Sequence, residues 1–317
     1  MPYPTDPEAV LARVAAPHGL RQDGAMDDNG TGRRPRTWWW RSRSVVVVTF
    51  VIVAIAPIAS SASAQTLRPG DKYVALGSSF ASGPMIPDVA DLSCLRSTNN
   101  YPHLVAAKLK LSLTDVSCGA ATTDHIISTP QAAHPLQINA VTPDTKLVTV
   151  TIGGNDIDYT VSNLLCSGDG AKGQSCLGSS VKPEANAQKL AALPAKMAAT
   201  LQAIKQAAPN ARVIVLPYLR VMPASGTPCP PSVPMGAAEL RYLVDYGDQL
   251  HAVLKRSAAA AKVDFVDSYL PKGHDACATP SRRWVEGQVP ASPAFAFHPN
   301  GAGMKAQAKM ILQHLKS

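Results

Sequence analysis

Much of what this 317-residue chain lacks narrows what it can do. Its six cysteines show no C-x-x-C spacing, which removes the usual signature of a structural zinc site. Histidines and acids lack the spacing of a metal-ligand set, and no cofactor motif is found, so neither a metal nor an organic cofactor is expected. Lysines and arginines are scattered, and no basic run is interleaved with aromatics. The formal net charge of +8 therefore carries no nucleic-acid signature; it reads as solubility, with at most a mild peripheral attraction to an anionic cell envelope. The apolar run at residues 45–58 has only 14 residues and is closed by Pro57, short of the roughly 20 that span a bilayer. Beyond residue 65 there is no internal repeat and no low-complexity linker, which leaves a single domain over residues 65–317 as the simplest organisation.

What is present begins with a leader. Arg33, Arg34, Arg36, Arg41 and Arg43 precede the apolar run, and Ser60-Ser61-Ala62-Ser63-Ala64 follows it, so n-region, h-region and an A-x-A-like site stand in order. Residues 1–64 are expected to be a signal peptide with a long n-region, cut near Ala64; a start at Met26 would bring that region to ordinary length. The alternative is a retained anchor, with Trp38, Trp39 and Trp40 at the membrane interface. Arg33-Arg34 lacks the rest of a twin-arginine pattern, so general secretion is the expected route. Cys94, Cys118, Cys166, Cys176, Cys229 and Cys277 all lie beyond the cut, as in an exported, disulfide-bonded chain. Six cysteines allow about 15 pairings. Sequential pairing, 94 with 118, 166 with 176 and 229 with 277, closes three local loops without knotting and is the expected one.

Five short runs rich in Val, Ile and Leu read as strands covered on both faces: residues 73–76, 114–117, 147–152, 213–216 and 263–266. Helical patterns occupy residues 184–208, 237–262 and 304–315, with Pro194 expected to kink or split the first. Strands alternating with helices imply right-handed crossovers and a parallel sheet with helices on both faces. The stretches around Cys166–Cys176 and Cys229–Cys277 read as irregular loops near the sheet edge.

The chemistry gathers at strand ends. Gly77-Ser78-Ser79-Phe80-Ala81-Ser82-Gly83 follows the first strand, Ser117-Cys118-Gly119-Ala120 the second, and Ile152-Gly153-Gly154-Asn155-Asp156 the third; His298-Pro299-Asn300-Gly301 precedes the last helix. In a parallel sheet such ends share one rim, where a nucleophile, a base and oxyanion donors can converge. Singly, each residue reads as an ordinary turn or cap residue.

Taken in order, these blocks resemble the SGNH hydrolases, also called the GDSL lipase/esterase family. That family carries G-D-S-x-x-x-G, a glycine after the second strand, G-x-N-D, and D-x-x-H near the C-terminus. The resemblance covers essentially all of residues 65–317. It implies an α/β protein with a three-layer, flavodoxin-like fold around a five-stranded parallel sheet. The implied activity is that of a secreted esterase or lipase cleaving carboxylic esters, whether small molecules or lipids, through a serine-bound acyl-enzyme. Ser79 would be the nucleophile, with Ser78 and Ser82 as weaker competitors, and His298 the base. Gly119, Asn155 and the Ser79 backbone N–H would hold the oxyanion. The three disulfides are similar to those of the family's secreted bacterial branch.

Two positions depart from the pattern. Ser78 stands where G-D-S has Asp, and Phe295 where D-x-x-H has its acid. The acid of a triad orients the base, so a dyad is expected in which the Phe295 carbonyl accepts the His298 Nδ1–H; Glu286 or Asp267 could substitute only if the fold brings one near. An unperturbed imidazole, with a pKa of about 6.5, would make activity rise from acid toward neutral pH. Carbohydrate deacetylation or phospholipid cleavage on the same scaffold, or an envelope-binding protein with a decayed site, are the alternatives.

Overall fold

A computed structural model describes residues 66–317; the leader and cleavage point expected within residues 1–64 lie outside the described residues. In chain order the elements are β1 (Lys72–Gly77), the four-residue α1 (Ser79–Ser82), a hairpin of β2 (Val89–Asp91) and β3 (Arg96–Ser97), α2 (Tyr101–Leu109), β4 (Ser112–Asp115), α3 (Thr123–Ile127), a 3-10 turn (Gln137–Ala140), β5 (Leu147–Thr151), α4 (Tyr159–Gly170), α5 (Pro183–Ala207), β6 (Arg212–Val215), α6 (Ala237–Ala261), β7 (Asp264–Phe265) and α7 (Gly301–His314). The central sheet runs β4-β1-β5-β6-β7, every pair parallel. In that flavodoxin-like order the chain leaves β1 for one edge and returns to fill the other, so a crevice opens beyond the carboxyl ends of β1 and β5.

The strands feed two cores by their period of two. Val74, Leu76, Val148, Val150 and Ile152 face α5 and α6, where they meet Leu193, Met197, Leu201, Ile204, Leu240, Leu243, Leu250 and Leu254. Tyr73, Ala75, Leu147, Ile214 and Leu216 face the other way, onto Tyr101 and Val105 of α2 and Met304 and Ile311 of α7. Each large aliphatic side chain so buried contributes roughly 1.5–3 kcal/mol. The strand threonines carry hydroxyls into the second core, and each has a partner: Thr149 pairs with the Tyr73 hydroxyl at 2.7 Å and Thr151 with that of Tyr101 at 3.2 Å.

Several features differ from the sequence reading, among them the second strand, which lies at Ser112–Asp115 rather than residues 114–117. Helix α5 is not split at Pro194 but continues through it as one element. A mid-helix proline costs about 3 kcal/mol, and the fully buried Leu193, Met197, Leu201 and Ile204 on the same helix outweigh it. Cys166 is not in an irregular loop but in α4, and both Cys166 and Cys176 are fully buried. The inward face of α4 carries Thr160, Asn163 and Ser167 beside that cysteine, so no apolar period marks it. Helix α2 was also missed, although Asn100 caps it through the His103 N–H and Pro102 sits in its first turn, both start signals. The disulfides join Cys94–Cys118, Cys166–Cys176 and Cys229–Cys277, the sequential set. Among the described residues no helix is long and apolar enough to cross a membrane.

Candidate active site

The turn after β1 is built around Gly77, whose φ of +141° only glycine adopts freely and where a Cβ would lie 2.5 Å from the Thr151 carbonyl. The Gln137 side chain grips this glycine as a neighbouring strand would, accepting its N–H at 2.8 Å and donating to its carbonyl at 3.0 Å. The Ser78 N–H donates to the Thr151 carbonyl at 2.9 Å. The chain then enters α1 with Ser79 as its first residue, so the Ser79 N–H has no helical acceptor. Ser79 is 6% exposed, at the switch-point crevice.

His298 reaches that serine from the loop before α7. Its Nε2 lies 2.9 Å from Ser79 Oγ, and its Nδ1 lies 2.8 Å from the Ala296 carbonyl. A carbonyl can only accept, so Nδ1 carries the proton and the Nε2 lone pair faces the serine hydroxyl. The orienting carbonyl is therefore that of Ala296 and not that of Phe295. The reason is the left-handed φ of +57° at Phe297: in the turn this makes, the Phe295 carbonyl accepts the His298 backbone N–H at 3.1 Å and the Ala296 carbonyl is left to the ring. Phe295 contributes its side chain instead. Its ring meets the imidazole edge-on at 5.2 Å, while Phe80 approaches at 5.1 Å. In this dry setting burial lowers the His298 pKa to about 4, the Ala296 bond opposing it only in part. The imidazole is neutral far below the 6.5 of the free side chain.

Among the described residues no carboxylate touches the ring. Asp267 pairs with His251 at 2.9 Å. Glu286, fully buried, binds Arg283 at 3.2 Å, the Ala291 N–H at 2.9 Å and Asn300 Nδ2 at 2.7 Å. Its backbone N–H donates to the His298 carbonyl at 3.0 Å, and Asn300 Oδ1 in turn caps α7 through the Gly303 N–H at 3.0 Å. Glu286 thus fixes the backbone on which His298 rides.

The donors expected for an oxyanion are only partly free. The Gly119 N–H already donates to the Cys94 carbonyl at 2.8 Å, because the Cys94–Cys118 disulfide draws this loop against residue 94. The next residue, Ala120, has an N–H with no acceptor among the described residues and adopts a left-handed φ of +62°. That conformation costs an alanine about 1–2 kcal/mol, and strain of this kind gathers at functional sites. Asn155 stands at the carboxyl end of β5 and donates one Nδ2 proton to the Ala121 carbonyl at 2.9 Å, leaving the other for a ligand. Asp156 accepts the Thr123 N–H at 3.0 Å at the start of α3, a structural task. One possible metal cluster, Cys94, Cys118 and His134, has both its sulfurs committed to a disulfide.

A doubly wound parallel sheet with a buried serine–histidine pair and backbone donors at its switch point is the frame of an α/β hydrolase. The chain belongs to the GDSL-like lipase/acylhydrolase family, which residues 75–306 match, and is a carboxylic ester hydrolase. It is 34% identical over 284 residues to Lipase 2 of Streptomyces coelicolor, covering 86% of this chain and 95% of that protein. A lipase of Streptomyces rimosus is 30% identical over 271 residues, covering 84% and 92%. The crystal structure of an extracellular lipase from Streptomyces rimosus superposes with a TM-score of 0.64 at 27% identity, covering 77% of this chain and 99% of that one.

Proposed function

We propose that Ser79 and His298 act as a dyad that cleaves esters through an acyl-enzyme. The observation that carries this reading is the aligned series Ala296 carbonyl, His298 Nδ1–H, Nε2 and Ser79 Oγ–H, with contacts of 2.8 and 2.9 Å. His298 takes the hydroxyl proton as Ser79 Oγ attacks the ester carbonyl. The N–H groups of Ser79 and Ala120 and the second Nδ2 proton of Asn155 receive the oxyanion, each such donor lowering the barrier by roughly 3 kcal/mol. His298 then protonates the departing alcohol, and water repeats the sequence on the acyl group. With lipases as relatives, the substrates are lipid or small-molecule carboxylic esters. Residues 65–317 serve as the mature domain, exported behind the leader and cut near Ala64. Three cysteine pairs at disulfide distance and an extracellular relative support that.

A fluorophosphonate probe followed by peptide mass spectrometry tests the assignment. Label on Ser79, lost in Ser79→Ala together with nitrophenyl ester cleavage while the melting temperature holds, is the expected result. No label, or label on another serine with full activity in Ser79→Ala, would overturn it. Nitrophenyl esters from acetate to palmitate then separate an esterase from a lipase.

A further inference from the structure

Tyr218 lies three residues past the end of β6 at Val215, yet its side chain crosses the carboxyl end of β5 to reach the turn after β1. It is 2% exposed and belongs to none of the sequence blocks that mark the site. The Gly154 N–H donates to its hydroxyl oxygen at 2.8 Å, and that hydroxyl lies 3.2 Å from Ser78 Oγ. Ser78 Oγ in turn donates to the Thr151 carbonyl at 3.4 Å. An N–H can only donate and a carbonyl can only accept, so one proton order satisfies the whole series: Gly154 N–H to Tyr218 Oη, Tyr218 O–H to Ser78 Oγ, Ser78 O–H to Thr151 O. Two members of the series directly precede residues of the site. Ser78 precedes Ser79, and Gly154 precedes Asn155.

Packing makes the link specific. A Cβ on Gly154 would lie 2.5 Å from the Tyr218 ring, so the absence of a side chain there is what lets the tyrosine in. The ring contacts Phe80 at 4.5 Å, and Phe80 also packs against His298. Burial pushes the Tyr218 pKa well above its ordinary value, which keeps the hydroxyl proton in place at every working pH. Where G-D-S places a carboxylate, Ser78 offers a hydroxyl one bond shorter, and the Tyr218 hydroxyl fills the space between it and Gly154.

We infer that Tyr218 is a positioning residue: its hydroxyl couples the nucleophile turn to the Asn155 turn and so sets the spacing between Ser79 and the oxyanion donors. This rests on the Ser79–His298 reading of the reaction. Misplacing groups of this kind by an ångström costs up to about 100-fold in rate, and the ground-state contacts of a substrate do not use the link. Tyr218→Phe should therefore lower kcat by about 10- to 100-fold with KM within about twofold, because the ring and its packing stay. Ser78→Asp added to Tyr218→Phe should recover most of that kcat, since a carboxylate at 78 extends toward the Gly154 N–H.

The experiment is steady-state kinetics on a nitrophenyl ester for wild type, Tyr218→Phe and the double variant, with melting temperatures and backbone amide exchange at Gly154. Expected are a kcat-only loss, faster Gly154 exchange in Tyr218→Phe, and recovery of both in the double variant. Wild-type kcat in Tyr218→Phe overturns the inference, and so does a loss that Ser78→Asp leaves unrepaired. Should Tyr218→Phe not fold, Ser78→Ala cuts the same link from its other end and must show the same kcat-only loss. Failure of the dyad reading looks different: Ser79→Ala would then keep its turnover.

Discussion

At the nucleophile turn, residues 77–83, the groups that fix Ser79 are uncharged: the Gln137 amide on Gly77, the Thr151 carbonyl on Ser78, and the hydroxyls of Ser78 and Tyr218. At the histidine loop, residues 295–300, a fully buried carboxylate does the corresponding work. Glu286 holds Asn300 and, through its backbone, the His298 carbonyl, with Arg283 as its counter-ion. Charge supports the backbone of the loop, while among the described residues the imidazole itself meets a carbonyl, the Ser79 hydroxyl and two aromatic rings, and no carboxylate. The acid absent at position 295 is therefore not replaced by another acid at the ring. Orientation has been kept and electrostatic assistance has not, and the outcome is an imidazole that stays neutral in acid.

The largest effect that bears on this contrast comes from Glu286. Glu286→Leu leaves the Arg283 guanidinium buried without its carboxylate, a loss of about 3–5 kcal/mol. The melting temperature should fall accordingly in a thermal scan. Glu286→Gln, which keeps hydrogen-bonding capacity, should lose less, and in it the acid limb of the pH–rate profile should stay where it is in wild type. A shift of that limb would mean that Glu286 acts on the imidazole and would erase the contrast.

Next in size is the response to pH. In the proposed dyad neutral imidazole is the active form, so with a His298 pKa of about 4 the kcat/KM profile should be level from neutral pH to roughly pH 5 and reach half its plateau near pH 4. The sequence alone had placed this limb near the ordinary value of about 6.5. Stability moves in the same direction. The unfolded chain protonates this histidine first, so the folded state loses stability as pH falls through the window from about 6.5 to about 4, by roughly 3 kcal/mol for this group. Chemical denaturation at a series of pH values reads that slope.

How much of this was legible in the sequence follows from what kind of contact each feature is. The three central strands β1, β5 and β6 showed as runs rich in Val, Ile and Leu because they are covered on both faces, whereas the edge strands β4 and β7 are only partly buried and carry Ser112, Asp115 and Asp264. Ser79, Asn155 and His298 could be aligned because each is a side chain in a block of fixed order. The orienting carbonyl could not. It depends on Phe297 turning left-handed, and an aromatic residue gives no sign of that. Gly119 was the expected donor because the family resemblance places a glycine after the second strand, but its N–H is consumed by the Cys94 carbonyl and the left-handed residue is its alanine neighbour. Gln137 and Tyr218 lie outside every block, and only the fold brings them to Gly77 and Gly154.

The smallest effect sharpens that last point. Ala120→Gly removes the left-handed penalty of about 1–2 kcal/mol, offset in part by the greater freedom of glycine in the unfolded chain, about 0.4–1 kcal/mol. The melting temperature should hold or rise by a few degrees with kcat preserved, since the backbone N–H remains. A marked loss of either would show that the alanine methyl, and not its N–H, is what the site requires.

The dyad's neutrality is most directly tested by an NMR titration of the His298 ring in protein labelled with 15N-histidine. The expected result is a neutral ring protonated at Nδ1, with Nε2 unprotonated, from neutral pH down to about pH 5 and a midpoint near 4. A midpoint at or above the ordinary value of about 6.5, the mark of a carboxylate at Nδ1, would contradict it.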